Sequence, residues 1–124
     1  MLVILNDDIL LDKPIRPFYH NLMQSSFLAI GDLHGRYDLL QKTLTKVVPQ
    51  VGNTRLVFLG DYIDRGPDSA ALLERLIDLK RERPDSIMLL GNHEKVLLKL
   101  LDNPNRYWAD NFLLNGGQAT LGKR

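Results

Sequence analysis

Phe27-Leu28-Ala29-Ile30-Gly31-Asp32-Leu33-His34-Gly35 is a short apolar run closed by a glycine and followed at once by a carboxylate and an imidazole. The pattern recurs twice. Leu56-Val57-Phe58-Leu59 leads into Gly60-Asp61-Tyr62-Ile63-Asp64-Arg65-Gly66, and Ile87-Met88-Leu89-Leu90 leads into Gly91-Asn92-His93-Glu94. An apolar run of this length between turn residues reads as a fully buried strand. The three segments lie about 30 residues apart, the length of one strand–helix–strand unit. Asp32, His34, Asp61 and Asn92 are therefore expected at the ends of three strands that run the same way. In open α/β sheets that edge is where ligands bind.

Between these strands the apolar period becomes helical. Tyr37, Leu40, Leu44 and Val47 share one face, and Pro49 with Gly52 closes the segment. A strand from Arg55 to Gly60 follows. Pro67 and Asp68 then open a helix whose apolar face is Leu72, Leu73, Leu76, Ile77 and Leu79, stopped by Pro84. A strand from Ser86 to Leu90 precedes the third motif. Val96, Leu97, Leu100 and Leu101 mark another helix, ended near Asn103-Pro104. Arg106 to Leu114 is the last helix, stopped by Asn115-Gly116-Gly117. The fold class is α/β: a parallel β-α-β-α-β-α unit with right-handed crossovers. Residues 1–26 read differently. Asn6-Asp7-Asp8 is turn-like, and Pro14 and Pro17 break regularity. They are expected to form a hairpin, an edge strand or an arm ahead of the main unit, 27–124.

The 124 residues suffice for one domain with one core. An apolar fraction of 44% and a charged fraction of 25% are those of an ordinary globular chain. A net charge of +1 gives no strong attraction to a nucleic acid polymer or a membrane surface. The basic stretch Lys80-Arg81-Glu82-Arg83 reads as a solvated helix end. The absence of cysteine excludes disulfides, thiolate metal sites and a cysteine nucleophile, and it fits a reducing cytoplasm. No apolar stretch approaches the roughly 18 residues needed to span a bilayer. The N-terminus has no basic segment, and Asp7 and Asp8 interrupt its apolar run, so it is a poor signal peptide.

Two carboxylates, an imidazole and an amide oxygen from Asp32, Asp61, His34 and Asn92 suit Mn²⁺, Fe or Zn²⁺. A carboxylate such as Asp61 can bridge two ions. Two ions about 3.5–4 Å apart can activate a water and stabilise an in-line phosphoryl displacement. Arg65 offers a fork for phosphate oxygens. His93 could donate a proton to a leaving alkoxide, with Asp64 holding its tautomer. The duller readings are turn and cap residues for Asp32, Asp61 and Asn92, and an ion pair for Asp64-Arg65. Glu94 reads as a helix-start residue, Tyr37 and Tyr62 as packing, and Trp108 with Phe112 as core. Three motifs in register favour the metal site.

Gly31-Asp32-Leu33-His34-Gly35, Gly60 to Gly66 and Gly91-Asn92-His93-Glu94 together resemble the signature of the calcineurin-like metallophosphoesterases. Within that family the Asp64-Arg65-Gly66 ending resembles the phosphoprotein phosphatase branch of serine/threonine phosphatases. Leu113 to Gly117 resembles a segment of the bacterial and phage-type members, which include diadenosine tetraphosphatases. The resemblance covers roughly 27–117. It implies the N-terminal half of a β-sandwich flanked by helices, and hydrolysis of a phosphoprotein or nucleotide phosphoester by metal-activated water. It assigns Asp32 and His34 to a first ion, Asp61 to a bridge and Asn92 to a second ion. It makes His93 and Asp64 the acid pair, with Arg65 and Asn92 on the phosphate. Two divalent ions are implied, Mn²⁺ foremost.

The family completes its second ion with two further histidines downstream of the third motif. This chain has three histidines, His20, His34 and His93, and none follows His93. The resemblance therefore implies a fragment of a longer phosphatase, in preference to a short form that dimerises or an unfamiliar site. It also implies a weak second ion site and self-association through an open half-fold. His20 reads as a surface histidine rather than a substitute ligand.

Overall fold

The computed structural model describes residues 2–4 and 27–122. The arm at 5–26, with His20, lies outside the described residues. Four parallel strands form one sheet in the order β1-β2-β3-β4. They are β1 (Leu2–Ile4), β2 (Phe27–Ile30), β3 (Arg55–Phe58) and β4 (Ile87–Met88). Register pairs Leu2 with Leu28, Leu28 with Leu56, and Phe58 with Met88. The helices are α1 (Tyr37–Lys42), α2 (Ser69–Glu82), α3 (Asn92–Asp102) and α4 (Arg106–Leu114). Short helical turns add Thr43–Val47, Val48–Gln50 and Gly117–Ala119. No helix among the described residues is long and apolar enough to cross a membrane.

The core follows the alternation of strand side chains. Leu28, Ile30, Leu56 and Phe58 are almost wholly buried and share one face of the sheet. Leu40, Val47, Leu72, Leu76 and Leu79 complete that cluster, with Leu97 packed at its margin. On the other face the alternation places Phe27, Leu59, Ile87 and Leu89, each 39–46% exposed. The expectation that all three apolar runs are fully buried therefore holds for 28–30 of β2, holds in part for the second run and fails for the third. β4 has a single strand neighbour, and nothing among the described residues covers its outer face. It also shortens to two residues, after which the Leu89 amide donates to the Phe58 carbonyl (2.9 Å) and the Leu89 carbonyl accepts the Tyr62 hydroxyl (2.7 Å).

Other departures are local. The first helix passes into a wider π turn at Thr43–Val47, where the Thr45 hydroxyl donates to the Gln41 carbonyl (2.8 Å). A hydroxyl bonded back to the preceding turn competes with the regular ladder. Pro67 precedes α2 instead of lying in its first turn, and Asp68 is the N-cap residue. Ile77 is exposed at 53%, so the buried stripe of α2 is narrower than its apolar sequence. Phe112 is buried, whereas Trp108, one turn earlier, is half-buried. The basic end of α2 acts as a helix end: Lys80 Nζ donates to the Pro84 carbonyl (2.7 Å), and Arg83 to that of Thr54 (2.8 Å).

Candidate metal centre

The three motifs leave the sheet at the same edge and interlock through their backbones. The amides of Leu33 and His34 donate to the Asp61 carbonyl (3.1 and 2.9 Å), and that of Gly35 to Tyr62 (2.7 Å). The second and third motifs touch directly. A Cβ on Gly60, whose φ is +105°, would lie 2.4 Å from the Gly91 nitrogen. A Cβ on Gly91 would lie 2.2 Å from the Asp61 nitrogen and from its Oδ1. Only glycine permits this approach.

Glu94 fastens the two loops. Its buried carboxylate accepts the amide protons of Asp61 (2.9 Å), Tyr62 (2.7 Å), Ile63 (3.2 Å) and Gly91 (3.0 Å). Gly91 has no side chain to reciprocate, so the usual two-way cap at a helix start becomes a bridge to another loop. The nearby charge of Glu94 adds to burial, which pushes the Tyr62 phenol well above its ordinary value.

Four residues hold left-handed backbone without being glycine: His34 (φ 40°), Asp61 (54°), Asp64 (70°) and Arg65 (67°). They are the only such residues among those described. All four belong to the site expected from sequence. Strain of this kind survives only where the surroundings over-determine it. Here the Asp64 amide donates to Thr120 Oγ1 (2.8 Å) and the Arg65 amide to the Gly116 carbonyl (3.1 Å).

The side chains converge. His34 Nδ1 donates to the Ile63 carbonyl (2.8 Å), because a carbonyl can only accept, and this leaves the Nε2 lone pair facing the site. His93 Nδ1 is paired with Asp64 Oδ2 at 2.7 Å, and both groups are almost wholly buried. The two imidazoles meet edge to face, 4.6 Å between centroids. Ligand atoms of His34, Asp61 and His93 lie within 4.8 Å of one another. Arg65 spans both rings, with Nη1 3.1 Å from His34 Nε2 and Nη2 3.3 Å from His93 Nε2. A guanidinium held between two imidazole nitrogens, with the Asp61 carboxylate in the same ligand cluster, shows a donor set that accepts a cation, so the residues fit a divalent ion.

Asp32 stands apart from that trio. Its carboxylate is 3.9 Å from His34 Nε2 and its side chain is 46% exposed. His34 lies in a left-handed turn, φ 40°, rather than on an extended strand end. The Asn92 side-chain amide lies against the Asp61 carboxylate; with its nitrogen turned toward them it would donate to both oxygens (2.9 and 3.1 Å). Asp64 and Arg65 do not pair with each other; Asp64 turns to His93 and Arg65 to the imidazoles. An open cleft of about 260 Å³ beside the cluster is lined by Asp32, Leu33, His34, Arg36, Leu39, Arg65 and Gly66. At its rim Arg36 grips Asp38 (2.8 and 2.9 Å) and holds that carboxyl below its ordinary value.

The family model for calcineurin-like phosphoesterases matches residues 25–121. The chain belongs to the calcineurin-like phosphoesterases. Among curated proteins it is 42% identical over 74 residues to a protein phosphatase 2A catalytic subunit from Dictyostelium discoideum, covering 58% of this chain and 23% of that protein. It is 39% identical over 79 residues to the symmetrical bis(5'-nucleosyl)-tetraphosphatase of Dechloromonas aromatica, 64% of this chain and 28% of that protein. It is 47% identical over 66 residues to the serine/threonine-protein phosphatase 6 catalytic subunit from Drosophila melanogaster, 52% of this chain and 21% of that protein. This calcineurin-like phosphoesterase chain thus spans roughly a quarter of the length of these relatives. Its structure also brings in two residues that sequence reasoning missed. Glu94 had a weak signal, its position three residues after Gly91 at a helix start. Thr120 had none, because its partner Asp64 lies 56 residues earlier.

Proposed function

We propose that this chain is the N-terminal part of a metal-dependent phosphoester hydrolase of the serine/threonine protein phosphatase kind. The observation that carries the reading is the convergence of His34, Asp61 and His93 beside the buried Asp64–His93 pair. When bound, divalent ions would supply a water acidified toward neutral pH and polarise the phosphoryl oxygens. Asp32, His34 and Asp61 would hold the first ion, and Asp61 with Asn92 the second. Mn²⁺ is the ion we favour, with Fe and Zn²⁺ as alternatives. Arg65 would turn from the imidazoles to grip the phosphate as a two-pronged donor, with Asn92 beside it. His93, its Nδ1 held by Asp64, would direct Nε2 at the leaving oxygen and protonate it. Although His93 belongs to the ligand cluster, we assign its Nε2 to the proton, because Asp32 and Asn92 remain at the motif ends to complete the ions. Residues 1–26 are assigned to an arm whose Leu2–Ile4 adds an edge strand to the sheet, and 27–124 to the catalytic part. The cysteine-free composition supports a cytoplasmic site of action.

The 79-residue match to a tetraphosphatase favours a second reading, cleavage of a dinucleoside tetraphosphate. The chain's span of 23% of the phosphatase 2A relative favours a third, a piece that holds metal or a partner with little turnover. The test is turnover by the purified chain with Mn²⁺ on a phosphoserine peptide, on diadenosine tetraphosphate and on p-nitrophenyl phosphate. The first reading expects the peptide to be preferred and the activity to vanish in Asp61→Asn. Preference for the dinucleotide selects the second. One ion held per chain without turnover selects the third.

A further inference from the structure

The Asp64–His93 pair has a third member. Thr120, in the turn after α4, uses one hydroxyl in two directions toward the same residue. Its Oγ1 accepts the Asp64 amide proton at 2.8 Å and donates its own proton to Asp64 Oδ1 at 2.5 Å. The hydroxyl has one proton, and the carboxylate takes it. The Ser69 hydroxyl, 3.4 Å away, must therefore be the donor in that contact. The other Asp64 oxygen, Oδ2, holds His93 Nδ1 at 2.7 Å. Each carboxylate oxygen thus has one partner, and the plane of the carboxylate is fixed from both sides. Asp64 is 1% exposed, so water cannot stand in for a lost partner without repacking. The adjoining turn adds a second hold, the Gly116 carbonyl accepting the Arg65 amide at 3.1 Å.

We propose that Thr120 is a positioning residue for the proton donor. It fixes the rotation of the Asp64 carboxylate, and the carboxylate fixes the tautomer and direction of the His93 ring. The inference deepens the hydrolase reading and rests on it for the role of His93. The geometry of the triad can be tested without turnover.

The test is nuclear magnetic resonance on the isotopically labelled full chain and on Thr120→Val and Thr120→Ser. The parent should show one Thr120 side-chain rotamer and a persistent His93 Nδ1–H signal. Thr120→Val keeps the shape and removes the hydroxyl; its Nδ1–H should exchange about tenfold faster, as loss of a buried hydrogen bond allows. Thr120→Ser should restore the parent rate. Unchanged exchange in Thr120→Val would overturn the proposal. So would rotamer averaging at Thr120 in the parent, a measurement that stands even if the valine variant does not fold. Should the chain hydrolyse phosphate esters, kcat for a phosphoserine peptide should fall about tenfold in Thr120→Val, a fraction of what a positioned acid supplies. It should fall much less for p-nitrophenyl phosphate, whose leaving group needs no proton. Equal losses on both substrates would assign Thr120 a structural role only. If the resonance results hold and turnover is absent, the hydrolase reading fails while the triad stands.

Discussion

His34, Asp61, Asp64 and Arg65 each occupy backbone that costs about 1–3 kcal/mol for a residue with a side chain. Something must offset that cost locally, and around Asp61 that is Glu94. Its carboxylate is the acceptor for amides of Asp61, Tyr62, Ile63 and Gly91. Glu94→Gln turns one of those acceptors into a donor facing other donors. We expect it to lower unfolding free energy by about 2–4 kcal/mol, the scale of two spoiled buried hydrogen bonds, measured by urea titration. Glu94→Asp should lose less, since it keeps the charge and shortens the reach. The chemistry-bearing residues were legible in the sequence because each lies in a short motif after an apolar run. The partners that restrain them were not. Glu94 looked like a helix start because its other three donors lie about 30 residues upstream, and spacing along the chain says nothing about which loops will touch.

Loops that meet at bare backbone are fragile in a specific way. Gly91→Ala would put a methyl group 2.2 Å from the Asp61 nitrogen and 2.6 Å from Glu94 Oε2. The third motif must then move off the second, while Leu28, Ile30 and Phe58 stay packed below. We expect a loss of Mn²⁺ affinity of at least tenfold by calorimetry, with β2 and β3 amides still protected from exchange. The same junction responds to alkali. Burial, helped by Glu94, raises the Tyr62 phenol, whose hydroxyl donates to the Leu89 carbonyl (2.7 Å). A raised value means the fold favours the neutral phenol. Its contribution is complete below about pH 10, the unfolded value, and declines as pH rises above it. Melting temperatures from pH 8 to 11 should therefore fall on the alkaline side, and Tyr62→Phe should flatten that fall. At this scale the sequence located the four α-helices of the described residues, and α4 to the residue. It overestimated β4, since a run of apolar residues does not reveal whether it has one strand neighbour or two.

Across the sheet, burial is uneven: Ala29 is buried on the face away from the core, but its larger apolar neighbours there are not. Phe27, Leu59, Ile87 and Leu89 form an apolar row on the sheet face opposite the core, and the described residues leave it exposed. A row of this size on an isolated chain favours association. Light scattering at micromolar concentrations should show species larger than a monomer, and Leu89→Lys should shift them toward monomer. A concentration-independent monomer would mean that some other part of the chain covers the row. The sequence could not show this directly, because an apolar residue reads the same whether its partner is present or missing.

The hold of Thr120 on Asp64 also sets an order of events in time. Chains leave the ribosome from the N-terminus at about 5–20 residues per second, so the 56 residues between these partners take roughly 3–11 seconds to appear. β2, β3 and α2 can pack in that interval. The second motif cannot yet settle into its left-handed turn, because the hydroxyl that receives its amide has not been made. A nascent chain would therefore have a formed core before it had a finished acid pair. The contact that orients Asp64 is therefore completed after the sheet that carries it.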